Sequence, residues 1–159
     1  MYDTLQGMSI ERVNAVNQGL ETYDKAQRGI IDDDFATAFL PMYHEIAKDL
    51  VKQRKRLGGN WAIAQAVFTK AQREVLRQNI GSDLIFIVLN LTRECQKKRL
   101  AARHGDNIHE ELVQMLEKFY DLFEKAGDDE PNTYNLTVTE DMNVEDVMNK
   151  ILDIIDKHL

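Results

Sequence analysis

The chain is poor in the features that mark secreted, membrane-spanning and nucleic-acid-binding proteins. Its 159 residues include a single cysteine, Cys95, so an internal disulfide is excluded and a reducing compartment is expected. No apolar stretch approaches the length that crosses a bilayer, and the N-terminus has no signal-peptide pattern. The formal net charge of −7 argues against non-specific binding to nucleic acid, which needs a basic surface. These absences predict a cytoplasmic protein that binds neither nucleic acid nor membrane.

Sequence patterns of metal and hydrolytic centres are also missing. The four histidines have neither H-E-x-x-H nor Cys/His ligand spacing, and no Ser-His-Asp order or nucleophile elbow occurs. Two acidic clusters, at 32–34 and 128–130, leave two interpretations open. They could bind a hard cation weakly, or they could be a helix cap and a solvated loop. We therefore predict no dedicated metal site.

The composition is that of an ordinary globular domain with one core, because hydrophobic residues make up 43% and charged residues 30%. Apolar residues at helical spacing predict two helices, at about 10–25 and 35–57, and Gly58 with Gly59 ends the second. Pro41 requires that the second helix either starts or bends there. We predict a single domain over residues 1–159, with a helical N-terminal part (1–58) and a βαβαβα part (59–159).

Three segments of the second part predict strands. They are the apolar segment 60–68, the continuous apolar run 84–91 and the alternating segment 133–138. Strands that alternate with helices predict βαβ units and a parallel sheet. The predicted fold class is therefore α/β, a helix-rich three-layer α/β/α domain with a short, mainly parallel three-stranded sheet. The predicted helices between and after the strands lie at 69–78, 92–104, 110–125 and 143–159.

Residues 82–106 form the most informative stretch of the chain. The apolar run ends at Thr92, where a cation-rich helix begins at once. Such a helix after a buried strand suits a mobile lid that closes over phosphates, since arginine supplies paired donors. The alternative is a solvated helix face whose cations form ion pairs with nearby carboxylates. The cations of this helix are Lys97, Lys98, Arg99 and Arg103.

The order of these pieces resembles the small-molecule kinases of the P-loop superfamily, above all the gluconate kinase-like group, with shikimate and adenylate kinases more distant. Residues 61–77, WAIAQAVFTKAQREVLR, look like the strand and the arginine-bearing helix that line the acceptor site. Residues 84–106 look like the next strand and the lid helix. The acidic DDEP at 128–131, followed by YNLTV and a helix, resembles the last part of the nucleotide site. The resemblance covers most of the chain.

The resemblance implies a nucleotide site. Arg99 and Arg103 match the lid arginines that face ATP, which implies roles in nucleotide binding and in phosphoryl transfer. Asp129 and Pro131 match the loop near the nucleotide base. The implied cofactors are ATP and magnesium.

An acceptor site is implied as well. Lys70 and Arg73 match the basic pair of the acceptor-site helix, although Thr69 stands where the family often has lysine. The implied substrate is a small anionic metabolite, with transfer of phosphate to its hydroxyl group. For Arg73 the alternative is again a solvated helix face or an ion pair.

The opening part of the kinase pattern does not occur in this sequence. It has no G-x-x-x-x-G-K-[ST] loop, and neither the loop Ser/Thr nor the strand-end Asp that hold magnesium is in position. In the family, a strand from this part lies between those that match 61–67 and 84–91. An incomplete sheet predicts a homo-oligomer formed by dimerisation or strand exchange. We expect a kinase-like protein that is catalytically impaired or inactive as this chain, or alternatively a non-catalytic scaffold or a protein-binding, self-associating module.

Overall fold

The structure is a computed structural model that describes residues 10–28, 30, 34–105 and 110–158. The acidic cluster predicted at 32–34 lies mostly outside the described residues. Within the described part, no helix is long and apolar enough to cross a bilayer. The elements in chain order are α1 (Ile10–Gln27), α2 (Phe35–Ala38), α3 (Leu40–Leu57), α4 (Lys70–Ile80), β1 (Phe86–Leu91), α5 (Arg93–His104), α6 (Glu110–Leu122), β2 (Thr133–Val138) and α7 (Val144–Asp156).

Two short polar side chains and one proline fix where three of these helices begin. The Thr69 hydroxyl accepts the backbone N–H of Gln72, whose side chain reaches back to the N-cap, so α4 begins with a capping box. Asn143 forms the same reciprocal arrangement with Asp146 at the start of α7. Pro41 lies in the first turn of α3, where its missing N–H costs no helical hydrogen bond, so the helix starts there rather than bending.

The sheet consists of β1 and β2, which pair in parallel with Phe86 opposite Thr133 and Leu91 opposite Val138. The predicted α/β class is confirmed, and so is the parallel pairing of these two strands. Side chains alternate between the two faces of a strand, so Leu89 shares one face with Leu136, its partner across the register. That face packs against α7.

The strand predicted at 60–68 is not formed. These residues have no regular secondary structure, and the side chains of 62–66 are exposed. Tyr43 holds the segment near its end by donating its hydroxyl hydrogen to the carbonyl of Ala66. The Glu124 N–H also donates to the carbonyl of Phe68 at 2.8 Å. A strand needs a neighbour for its backbone groups, and β1 pairs only with β2 among the described residues, so apolar composition alone did not produce a third strand.

Two apolar clusters lie on either side of the sheet. The first, here called the helical cluster, contains residues of α1, α2, α3, α4 and α6, and Phe86 of β1 packs against it. The second, here the sheet cluster, joins β2 to α7 and to the first turn of α5, where Cys95 is 2% exposed. Burial of this kind is typical of a structural thiol. The buried members of the helical cluster are Ala26, Phe35, Phe39, Tyr43, Ala47, Leu76 and Met115, and those of the sheet cluster are Cys95, Leu136, Val138 and Val147.

Candidate functional site

A cavity of about 320 Å³ opens at the carboxyl ends of β1 and β2. One wall is α5, which follows β1, and the other is the segment 139–143 between β2 and α7. The carboxyl edge of a parallel sheet is where ligands bind in open α/β proteins, because the loops that follow neighbouring strands meet there. This position makes the cavity the candidate site.

The end of β1 sets the position of α5. The Thr92 N–H donates to the Val138 carbonyl at 3.0 Å, which attaches the start of the helix to the end of β2. The Thr92 hydroxyl then caps the helix by accepting the Cys95 N–H at 3.1 Å. Because Cys95 packs into the sheet cluster, the residues three and four positions later lie on the same side of the helix. Those residues are Lys98 and Arg99, and both line the cavity.

The cations of α5 differ in what they contact. Lys98 donates to the Glu140 carbonyl at 2.9 Å and so links the two walls. Arg99 lines the cavity and Arg103 lies one turn further along the helix, and both are exposed. Neither arginine has a hydrogen bond or ion pair with any residue in the described part of the chain. Two guanidinium groups whose N–H donors are unoccupied by described residues therefore lie at the cavity and beside it.

The opposite wall carries negative charge. Thr139 donates its hydroxyl hydrogen to the Asp141 carboxylate, and this bond is the first cause that lowers the pKa of Asp141 below its ordinary value. Backbone hydrogen bonding and the positive charges of Lys98 and Lys150 lower the pKa further. The carboxylate is therefore ionised at neutral pH and faces the cations of α5 across the cavity.

The predicted acceptor-site pair lies elsewhere. Arg73 is 1% exposed at its side chain, and its Nε and Nη2 each donate to a Glu130 oxygen at 2.8 Å. Its Nη1 also donates to the Glu124 carbonyl at 2.9 Å. Lys70 forms an exposed ion pair with Asp129, at 2.5 Å between Nζ and Oδ2. These contacts attach α4 to the loop 124–131, which leads into β2.

The predicted site residues thus fall into two groups. Arg99 and Arg103 belong to the helix that leaves the carboxyl end of the sheet. Residues 70–73 and the loop 124–131, which includes Pro131, meet near its amino end, about 17–20 Å away along a six-residue strand. The structure does not bring the two groups together. Their roles in binding nucleotide and acceptor stay predictions.

Sequence reasoning missed the segment 139–143 and the buried carboxylate Glu130. A signal for the segment was present, because it links the last predicted strand to the Asn143 cap and so follows a carboxyl strand end. No comparable signal marked Glu130, which looks like one acid among several in an acidic loop.

Among the described residues, no three histidine, cysteine, aspartate or glutamate side chains converge where they could hold a metal ion. The chain matches no protein-family model, no curated protein and no solved structure.

Proposed function

We propose that this chain is related to the ATP-dependent small-molecule kinases of the P-loop superfamily and binds a nucleotide or another phosphate-bearing metabolite without transferring its phosphate. The position of Arg99 carries the proposal. It lines a cavity at the carboxyl ends of two parallel strands, and no described residue occupies its guanidinium donors. Planar, paired N–H groups match the oxygens of a phosphate, and burial of an anion there needs such a partner.

The local charge favours an anion although the whole chain is acidic. The net charge is −7, yet α5 presents Lys97, Lys98, Arg99 and Arg103 within seven residues. Interactions between exposed charges fade beyond about 8–10 Å at physiological salt, so the nearby cations outweigh distant carboxylates. Asp141 and Glu140 on the other wall limit the affinity and favour a ligand whose uncharged part faces them.

Absence of catalysis follows from the chemistry of phosphoryl transfer. The reaction depends on groups that position the phosphates and neutralise their charge, above all the phosphate loop with its lysine and the metal. That loop does not occur in the sequence. Arg99 and Arg103 supply only the charges on the lid side. This chain alone therefore binds the phosphate-bearing ligand but does not transfer its phosphate. Magnesium would enter with the nucleotide.

The layering of the domain supports the proposed relationship. Val147 and Ile151 of α7 cover one face of the sheet, while Phe86 on the other face packs against the helical cluster. We propose that this is a kinase-like α/β/α arrangement in three layers. Residues 60–68, which match a strand of those kinases, form no strand here; Val67 packs against the helical cluster, and β1 pairs only with β2 in the described structure.

Titration calorimetry with ATP, with and without magnesium, tests the binding function. Arg99→Ala should weaken binding about 10-fold or more, because a hydrogen bond to a charged group contributes about 1.5–3 kcal/mol. Lys97→Ala is the matched control, since it removes one exposed charge from the same helix outside the cavity lining. Equal affinity in the wild type and both variants, or no binding in any of them, would refute the proposal.

A second candidate function is a self-associating, non-catalytic module. The observation that favours it is the two-stranded sheet, in which each strand of the described structure is paired along one edge only. Unpaired strand edges are templates for pairing with another chain. Sedimentation velocity should then detect a dimer or larger assembly at micromolar concentration, and a compact monomer would count against it.

A further inference from the structure

One side of α7 carries apolar side chains that the described residues leave about half exposed or more. Val144, Met148 and Leu152 are 76%, 48% and 48% exposed. Their spacing of four residues places them in one row along the helix. The adjacent row, Val147 and Ile151, packs into the sheet cluster. The apolar side of α7 is therefore wider than the part that the sheet covers.

The sheet has an exposed apolar residue on the same face. Leu89 of β1 is 40% exposed, although its register partner Leu136 is buried. The two side chains lie next to each other on the face that packs against α7. The helix therefore covers β2 and leaves the middle of β1 uncovered.

The handedness of the fold places the exposed row of α7 beside Leu89. Tyr134 at the start of β2 stacks on His158 beyond the end of α7, with 4.6 Å between ring centroids, so the helix runs antiparallel to the strand. The connection from β1 to β2 passes through α6, which packs in the helical cluster on the other face of the sheet. A right-handed crossover and a right-handed helix then turn Met148 and its row toward β1. By this handedness, Val144, Met148 and Leu152 lie on the side of α7 that faces β1 and Leu89. These four residues are here called the α7–β1 surface.

Acidic side chains border the α7–β1 surface. The next row of the helix, on its solvent side, is exposed, and three of its four members are carboxylates. A ligand that lies along the apolar row therefore meets negative charge near both ends of the helix. The members of this row are Glu145, Asn149, Asp153 and Asp156.

We propose that the α7–β1 surface binds an amphipathic helix of a partner protein whose apolar face is flanked by lysine or arginine. An apolar row with four-residue spacing beside an open sheet face is the geometry that accepts a helix with anchors at i, i+4 and i+7. The carboxylate row selects positive flanks by charge complementarity.

A second copy of the chain fits this surface less well. A symmetric dimer through α7 would bring two carboxylate rows together, which charge repulsion opposes. This repulsion favours a single foreign helix as the occupant.

Two synthetic peptides test the proposal. Both are 18-residue helix formers with leucines on one face, and the flanking positions are lysine in one and glutamate in the other. We expect the lysine peptide to bind the full chain at physiological salt and the glutamate peptide to bind at least 10-fold more weakly. Fluorescence anisotropy of labelled peptides measures both affinities.

Paired variants separate this surface from general attraction to an acidic protein. Met148→Asp and Asn149→Asp add the same charge at neighbouring positions, but only the first interrupts the apolar row. Met148→Asp should weaken lysine-peptide binding at least 10-fold, whereas Asn149→Asp should leave it equal or tighter. Because Met148 is about half exposed, the variant should keep the wild-type melting temperature and circular dichroism.

Three results would overturn the proposal. The first is equal binding of both peptides, and the second is equal weakening by the two variants. The third is a wild-type dimer that Met148→Asp converts to a monomer, since a second copy would then be the occupant. Binding of ATP should be unchanged in Met148→Asp, so this proposal and the nucleotide site can fail separately.

Discussion

Arg73 and Glu130, separated by 57 positions in the chain, form a two-bond ion pair with only 1% of each side chain exposed. Glu130 also accepts the Gly127 N–H at 3.1 Å, so its carboxylate holds the loop that precedes β2. The pair connects α4 to the amino end of the sheet. We expect the pair to contribute to the stability of the fold rather than to ligand binding.

Arg73→Ala should destabilise the protein by about 3–5 kcal/mol, because it leaves the Glu130 carboxylate buried without its partner. Urea unfolding followed by circular dichroism measures the change. Lys70→Ala is the control, since it removes a neighbouring cation whose ion pair with Asp129 is exposed and therefore contributes little. Replacement of both Arg73 and Glu130 by Met should restore much of the loss. Equal effects of Arg73→Ala and Lys70→Ala would contradict this account.

Acid should destabilise the protein through Glu130. The hydrogen bonds from Arg73, together with the Gly127 N–H, lower the pKa of Glu130 in the folded state. A lowered folded pKa contributes stability that is present above the unfolded value, near 4.3, and is lost as pH falls through the folded pKa. The free energy of unfolding, measured from pH 6 to pH 3, should fall more steeply in the wild type than in Glu130→Gln. Parallel curves would exclude Glu130 as a source of the pH dependence.

Tyr43→Phe should release the segment 60–68. The variant removes the hydroxyl that donates to the Ala66 carbonyl, and this should cost about 1 kcal/mol. Amide hydrogen exchange near residue 66 should become faster, while exchange in α5 should stay unchanged. If exchange near Ala66 is the same in both proteins, the hydroxyl does not hold the segment.

Tyr43 should also make the stability of the protein depend on pH in the alkaline range. Burial raises the pKa of Tyr43 to about 12, against about 10 in the unfolded chain. The hydroxyl proton is therefore bound more tightly in the folded state. The stability that the protonated Tyr43 contributes is complete below pH 10 and is lost as pH rises toward 12. The stability difference between the wild type and Tyr43→Phe should narrow over that range. A constant difference would contradict the buried environment of the hydroxyl.

Catalysis should be absent. A coupled assay with ATP, magnesium and gluconate, shikimate or nucleoside monophosphates should give no turnover above the blank, because the sequence lacks a phosphate loop. Clear turnover in the wild type that disappears in Arg103→Ala would show that the cations of α5 take part in phosphoryl transfer, and the non-catalytic proposal would be wrong.

Local patterns in the sequence predicted most of the elements. The alternating segment 133–138 is β2 with the predicted bounds, and Thr69, the first residue of the predicted helix 69–78, is the N-cap of α4. Such features depend on neighbours within a few residues, so the sequence alone can specify them. The strand predicted at 60–68 failed because strand formation also requires a partner, which an apolar run does not supply.

The candidate site was predictable only in part. The density of cations on one helix after a buried strand predicts the four cations of α5 as a group, and the structure places two of them, Lys98 and Arg99, at a cavity. The opposite wall at 139–143 comes from a distant part of the chain, and only the parallel pairing of β1 with β2 brings the two together. The Arg73–Glu130 pair likewise depends on a tertiary contact that spacing along the chain does not encode.

The most direct test of the nucleotide site is a two-dimensional ¹⁵N–¹H NMR titration of the labelled protein with ATP. Our account predicts that the amide shifts that change cluster at residues 95–102 and 139–143, on the two walls of the cavity. It also predicts little change at residues 70–73 and 124–131. Shifts confined to those latter segments, or no shifts at millimolar ATP, would contradict the proposed site.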